Sequence, residues 1–173
     1  MNSTSTATLY ILSGLPGSGK STLAKDLAKQ LNAQWLRIDS IEQTLKDQGF
    51  KDFYDTGYQV AFAVAQDNLA LGLDVIADSV NDCHLSRQVW HQVAEQTGAT
   101  FIDIEIICSD ENEHKYRVES RHSEIPNLTL PSWQQVQDRD YEPWQQGTLR
   151  LDTSGLTVQE AMTELINKLS ELA

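Results

Sequence analysis

The chain has 173 residues, and its 13 Lys and Arg against 25 Asp and Glu give a formal net charge of −12 at pH 7. That length predicts one folding unit with its own core, and no run approaches the ~18 consecutive apolar residues of a membrane helix. So acidic a chain disfavours nucleic-acid phosphates and anionic lipid as partners, because affinity for polyanions comes from clustered Lys and Arg.

The opening MNSTSTAT has no basic region and the apolar stretch after it is cut short by Gly14 and Pro16, so no secretory signal is read. Cys83 and Cys108 are too few for a disulfide framework and lack zinc spacing. A reducing cytoplasm is the expected setting. Residues 1–8 read as a Ser/Thr tail with nothing to bury, and 9–173 as the folded unit. From Leu9 onward, short apolar runs alternate with amphipathic stretches, the pattern of repeated βα units around a parallel sheet. Strands are predicted at 9–13, 35–38, 75–77, 101–107 and 149–151, and helices at 20–31, 58–71, 85–96, 111–121 and 158–172. Five strands with intervening helices predict an α/β three-layer sandwich.

Between the first strand and the first helix stands Gly14-Leu15-Pro16-Gly17-Ser18-Gly19-Lys20-Ser21, a full G-x-x-x-x-G-K-[ST] match in the context the motif requires. Glycines let such a loop curl so that its amides point at phosphate oxygens, and the helix N-terminus adds a favourable field. Residues 14–22, from Gly14 to Thr22, are therefore the candidate ATP cradle, with Lys20 on the β- and γ-phosphates and Ser21 on Mg²⁺. No N-K-x-D motif reads a guanine base. The third strand ends Asp78-Ser79, lacking the Glu that activates water in motor ATPases. Transfer to an acceptor other than water follows as the expectation.

The cradle, Asp39 after the second strand and Asp78 after the third together resemble the small-molecule P-loop kinases related to chloramphenicol phosphotransferase and polynucleotide kinase. The strings WLRIDSIEQ, VIADSVND, EHKYRVESR and DYEPW are similar to a bacterial group of predicted kinases often labelled AAA-type ATPases or adenylyl-sulfate kinases. The resemblance implies a P-loop NTPase fold with strand order 2-3-1-4-5 and a helical lid at about 110–130. It also implies that Asp39 accepts the proton of the acceptor hydroxyl, although Asp39 or Ser40 would equally cap a helix starting near Ile41. Asp78 either holds Mg²⁺ through a water or faces the acceptor. Asn81 and Arg87 become acceptor candidates; Tyr54, Tyr58 and Phe62 sit where such kinases line the acceptor pocket, Tyr58 and Phe62 also having the i,i+4 spacing of core packing. Arg117 and Arg121, four residues apart, are the lid arginines, with Glu113 able to pair Arg117, and Arg150 is a candidate to stack on adenine. Polynucleotide kinases carry Arg where this chain has Glu42, and adenylyl-sulfate kinases carry D-G-D-N where it has Arg37-Ile-Asp39-Ser40.

The expected activity is transfer of the γ-phosphoryl group of ATP to a hydroxyl of a small molecule. The alternatives are a polynucleotide 5′-hydroxyl kinase, which needs a basic groove, and a non-catalytic ATP-binding regulatory module. Oligomeric state is open.

Overall fold

The computed structural model describes residues 6–51, 55–144 and 147–172. Five parallel strands, β1 (Thr8–Ser13), β2 (Gln34–Arg37), β3 (Val75–Asp78), β4 (Thr100–Ile107) and β5 (Leu149–Asp152), form one sheet in the order β2-β3-β1-β4-β5. This is the P-loop NTPase arrangement that the family resemblance implies. Seven helices are described: α1 (Lys20–Leu31), α2 (Ile38–Asp47), α3 (Thr56–Ala70), α4 (His84–Thr97), α5 (Glu111–Ser120), α6 (Trp133–Gln137) and α7 (Val158–Ser170).

Period-two alternation along the central strands sorts the core into two layers. Leu9, Ile11, Val75 and Ala77 face α3 and α4, where Phe62, Leu69, Trp90 and Ala94 cover them. Leu12, Ile76, Ile104 and Leu151 face α1 and α7, against Leu23, Leu27, Met162 and Leu165. Both faces of the sheet are thus buried, as an all-parallel sheet demands. All five carboxyl ends emerge on one side, where a doubly wound sheet places its ligands.

Three expectations need correction. Ala7 is buried and the Thr8 amide donates to Asp74 Oδ1 at 2.8 Å, so the sheet takes in two residues assigned to the tail. The second strand stops at Arg37, and Ile38 opens α2, which brings Asp39 into its first turn. Arg37 is the N-cap residue in extended conformation, and no side chain caps this helix, so neither Asp39 nor Ser40 does. Finally, α5 ends at Ser120 and Arg121 is extended, which separates Arg121 from the helical face of Arg117.

Trp90 is fully buried, packs edge-on to Phe62 with ring centroids 4.5 Å apart, and donates its indole N–H to Asn81 Oδ1 at 3.2 Å. Trp90→Ala is expected to cost about 3–5 kcal/mol in urea denaturation, as large aromatic truncations in cores do.

Candidate functional site

The loop after β1 folds back on the sheet. The Gly14 amide donates to Val80 O at 3.2 Å and the Ser18 amide to Leu15 O at 3.2 Å. Gly14 has φ +146°, and a Cβ there would stand 2.2 Å from Ile106 O; Gly17 has φ +89°, and a Cβ there would stand 2.5 Å from Val118 Cγ2. Only glycine fits at either point. Gly19 is the N-cap of α1 and no side chain caps it, which leaves the first amides of a 12-residue helix without a side-chain partner.

Lys20 Nζ lies 2.7 Å from Asp78 Oδ1, an ion pair in which Lys20 is 8% and Asp78 1% exposed. Ser21 Oγ donates to the same oxygen at 3.1 Å, and Trp35 Nε1 donates to Asp78 Oδ2 at 3.2 Å. Three donors from α1 and β2 thus converge on one carboxylate. Trp35 is a participant that sequence reasoning missed, since an indole in a short strand reads as packing.

Above the loop sits α5. His114 Nε2 donates to Pro16 O at 2.9 Å, and the His114 ring packs edge-on to Trp133 of α6. Arg117 donates from Nη1 to Thr153 Oγ1 at 2.7 Å and from Nη2 to Thr153 O at 2.9 Å, and Nη2 also pairs with Glu113. Thr153 Oγ1 in turn lies 2.8 Å from Ser18 O. The segment after α5 crosses the opening, with Glu124 3.3 Å from Lys25 and 3.8 Å from Arg37.

Between these parts lies a cavity of about 920 Å³, within the ~300–1,000 Å³ range of small-ligand sites. Of the residues the sequence singles out, Leu15, Pro16, Gly17, Gly19, Lys20, Ser21, Thr22, Asp39, Arg117 and Arg121 line it. Asp39 accepts no hydrogen bond among the described residues. Its field reaches Arg121, whose guanidinium is held below its ordinary range by burial, with Asp39 opposing that shift and Arg37 adding to it. Glu42 sits behind Asp39, its carboxyl pushed up by burial and by the Asp39 charge, against the pull of Arg139.

Other predicted residues lie elsewhere. Gly14 and Ser18 are within the loop but off the cavity wall, and Asp78 stands behind Lys20. Asn81, at φ +47° and fully buried, donates to Leu12 O at 3.1 Å and accepts from Trp90, so its amide braces β1 against α4. Arg87 is 3% exposed and donates to Asn81 O, Pro143 O and Glu142 O, with its guanidinium 4.1 Å from the Trp144 ring centroid. It staples residues 141–144 to α4 rather than facing a ligand. The Tyr58 phenol is pushed up to about 12 by burial, and the ring packs beside Phe62 in the core. Arg150 pairs across the strands with Glu105 at 2.6 Å and points to solvent; the wall on that side is instead made by Thr153, Leu156 and Thr157. Tyr54 lies outside the described residues.

A family model described as an AAA domain matches residues 9–143. The chain belongs to this AAA domain family. Among solved structures, it is similar to a gluconokinase from Sinorhizobium meliloti 1021, at 16% identity over 97% of this chain and 94% of that one, with TM-score 0.69. It is similar at 20% identity to the Mycobacterium tuberculosis APS kinase CysC solved with AMPPNP and APS, over 95% and 98% of the two chains, with TM-score 0.69. Kti12 of Chaetomium thermophilum, solved with ADP-AlF3, matches at 18% identity over 94% and 97%, with TM-score 0.68. No curated protein sequence matches the chain. At these identities the likeness establishes the fold that the AAA domain adopts here.

Two substitutions separate loop from scaffold. Gly17→Ala is expected to lower stability by about 1–3 kcal/mol, read as a lower urea midpoint, because the new methyl meets a stiff β-branched neighbour. Arg87→Ala is expected to cost at least ~2 kcal/mol through its lost charge-assisted hydrogen bonds, while AMPPNP affinity measured by calorimetry stays at the unsubstituted value.

Proposed function

We propose that the protein transfers the γ-phosphoryl group of ATP to a hydroxyl of a small molecule. The observation that carries this reading is Asp39: a carboxylate without a hydrogen-bond partner among the described residues, on the wall of the cavity that Lys20 and Ser21 also line. Asp39 is half-buried, with its carboxylate free to meet what enters the cavity, whereas the buried Asp78 has its acceptors filled. The solved neighbours include a gluconokinase and an APS kinase holding AMPPNP and APS, which supports phosphoryl transfer on this fold.

In this reading the loop amides of residues 14–22 and Lys20 hold the triphosphate. Ser21 Oγ and Asp78 Oδ1, two hard oxygen donors 3.1 Å apart, suit Mg²⁺, which takes oxygen ligands from few protein groups. When bound, it neutralises charge on the β- and γ-phosphate oxygens. Asp39 orients the acceptor hydroxyl. As that oxygen bonds to the γ-phosphorus, the bond from phosphorus to the β–γ bridging oxygen breaks, ADP leaves, and the hydroxyl proton passes to an Asp39 oxygen. Arg117 stands over Gly19, about 4.0 Å from where a side chain there would begin, and is placed to meet phosphate charge. The chain from Ala7 onward acts as one unit, with the lid at about 110–130. Two unpaired cysteines, Cys83 and Cys108, support a reducing cytoplasm. Among the described residues no helix is long and apolar enough to cross a membrane.

A screen of hydroxylated compounds for acceptor-dependent ADP release, with Lys20→Ala as the blank, tests the reading. On the acceptor that emerges, Asp39→Asn is expected to lower kcat by ~10²–10⁴ while AMPPNP affinity changes little. Tight AMPPNP binding with no acceptor-dependent ADP release would replace the kinase with a nucleotide-binding regulatory module.

A further inference from the structure

The acid excess of the chain is not spread evenly. Seven of its 13 Lys and Arg line the cavity, against three carboxylates, Asp26, Asp39 and Glu124. Lys20 and Arg117 belong to the phosphate loop and its cover. Arg37 comes from the end of β2, and Arg121, within the lid segment, is the extended residue after α5; both lie near Asp39.

Both of these arginines are short of partners. The Nε atoms of Arg37 and Arg121 are buried and neither finds an acceptor. Arg121 donates no hydrogen bond among the described residues. Arg37 lies 5.6 Å from the Trp35 ring centroid and 3.8 Å from Glu124, a partner 65% exposed, so that pair is long and screened by water. The two guanidinium groups are also close enough for the charge of Arg37 to disfavour that of Arg121. Two like charges on one cavity wall, each with a buried donor unsatisfied, call for an oxyanion as partner.

We propose that Arg37 and Arg121 form an anion site beside Asp39, so that the phosphoryl acceptor is a small hydroxylated molecule carrying a carboxylate or phosphate group. This rests on the kinase reading above and narrows its substrate class. The anion fixes one end of the acceptor, and Asp39 addresses the hydroxyl at the other. A neutral polyol leaves both arginine donors unpaired, which is how a site built for hydrogen bonding rejects an analogue lacking the group.

The test uses the full chain saturated with AMPPNP and Mg²⁺, so that the phosphate loop is filled, and titrates inorganic phosphate by calorimetry. One phosphate per chain is expected, weakened roughly 10- to 100-fold in Arg37→Ala and in Arg121→Ala and unchanged in Lys168→Ala, a surface control outside the cavity. The AMPPNP titration of each variant reports whether it folds, and Arg121→Ala stands as the second variant should Arg37→Ala not. ADP release is then compared across a neutral polyol, the corresponding hydroxy acid, its phosphate monoester and a 5′-hydroxyl oligonucleotide. Preference for the acid or the ester, lost in either variant, supports the proposal and tells carboxylate from phosphate. AMPPNP binding with no phosphate site, a site indifferent to both arginines, equal use of the neutral polyol, or use of the oligonucleotide alone overturns it and leaves the kinase reading standing. Failure to bind AMPPNP overturns both.

Discussion

The buried ion pair between Lys20 and Asp78 is the constraint around which the site is arranged. Taking two charges out of water costs several kcal/mol per ion, and Coulomb attraction offsets that only when the remaining hydrogen-bonding capacity is also used. Here it is used: Ser21 shares Oδ1 with the ammonium, and the Trp35 indole takes Oδ2. The result ties the first turn of α1 to the ends of β3 and β2. Its value is positional more than stabilising, since an apolar replacement of the same shape avoids the desolvation altogether. Asp78 also serves as the counter-ion of Lys20. On the proposed reading, a triphosphate brings more negative charge to the lysine than a single carboxylate does, so the pair is set to exchange partners.

A second chain of contacts couples the loop to its cover. Pro16 O accepts from His114, Gly17 leaves room only for Val118 and His114, and Ser18 O accepts from Thr153, whose hydroxyl also receives Arg117. Backbone carbonyls of three successive loop residues, or the space beside them, are thus read by α5 and by the exit of β5. That exit is itself fixed by Asp152. Burial pushes its carboxyl up, but hydrogen bonds from the hydroxyls and amides of Ser109 and Ser154 outweigh this and hold it at about 2. A shift of α5 therefore cannot leave the loop untouched, and the glycines serve helix packing as much as ligand access.

How much of this was legible in the sequence follows from the range of the forces involved. The two-layer core depends on local periodicity and the glycine-rich loop on a motif whose spacing is its geometry, so the burial of Leu9 and Ile11 and the turn at Gly14 are legible in isolation, while strand order comes from the family resemblance. Asn81 and Arg87 misled because a polar residue after a strand looks the same whether it faces a ligand or a carbonyl 55 to 69 residues away. Their partners, Leu12 O and the Glu142 and Pro143 carbonyls, are set by tertiary structure alone. Helical spacing puts Arg117 and Arg121 on one face, and a helix one residue shorter gives them different neighbours, Thr153 for Arg117 and the charges of Asp39 and Arg37 for Arg121. Arg37 drew no notice because β2 is short and an arginine at its end looks like an edge charge.

Net charge is the property that transfers least well from sequence to site. A value of −12 describes the field far from the molecule, where it governs encounter with polymers and surfaces. Inside a concave wall of low dielectric the nearest few groups dominate, and there the balance is reversed by residues drawn from α1, β2, α5 and the segment beyond. The same chain can repel a polyanion at long range and hold a compact anion at short range. On the proposed reading, the segment held through Glu124 to Lys25 and Arg37 sharpens that distinction, because acceptor and nucleotide share a cavity of about 920 Å³. Size and local charge acting together, and not net charge alone, argue for a small acidic acceptor over a nucleic-acid end.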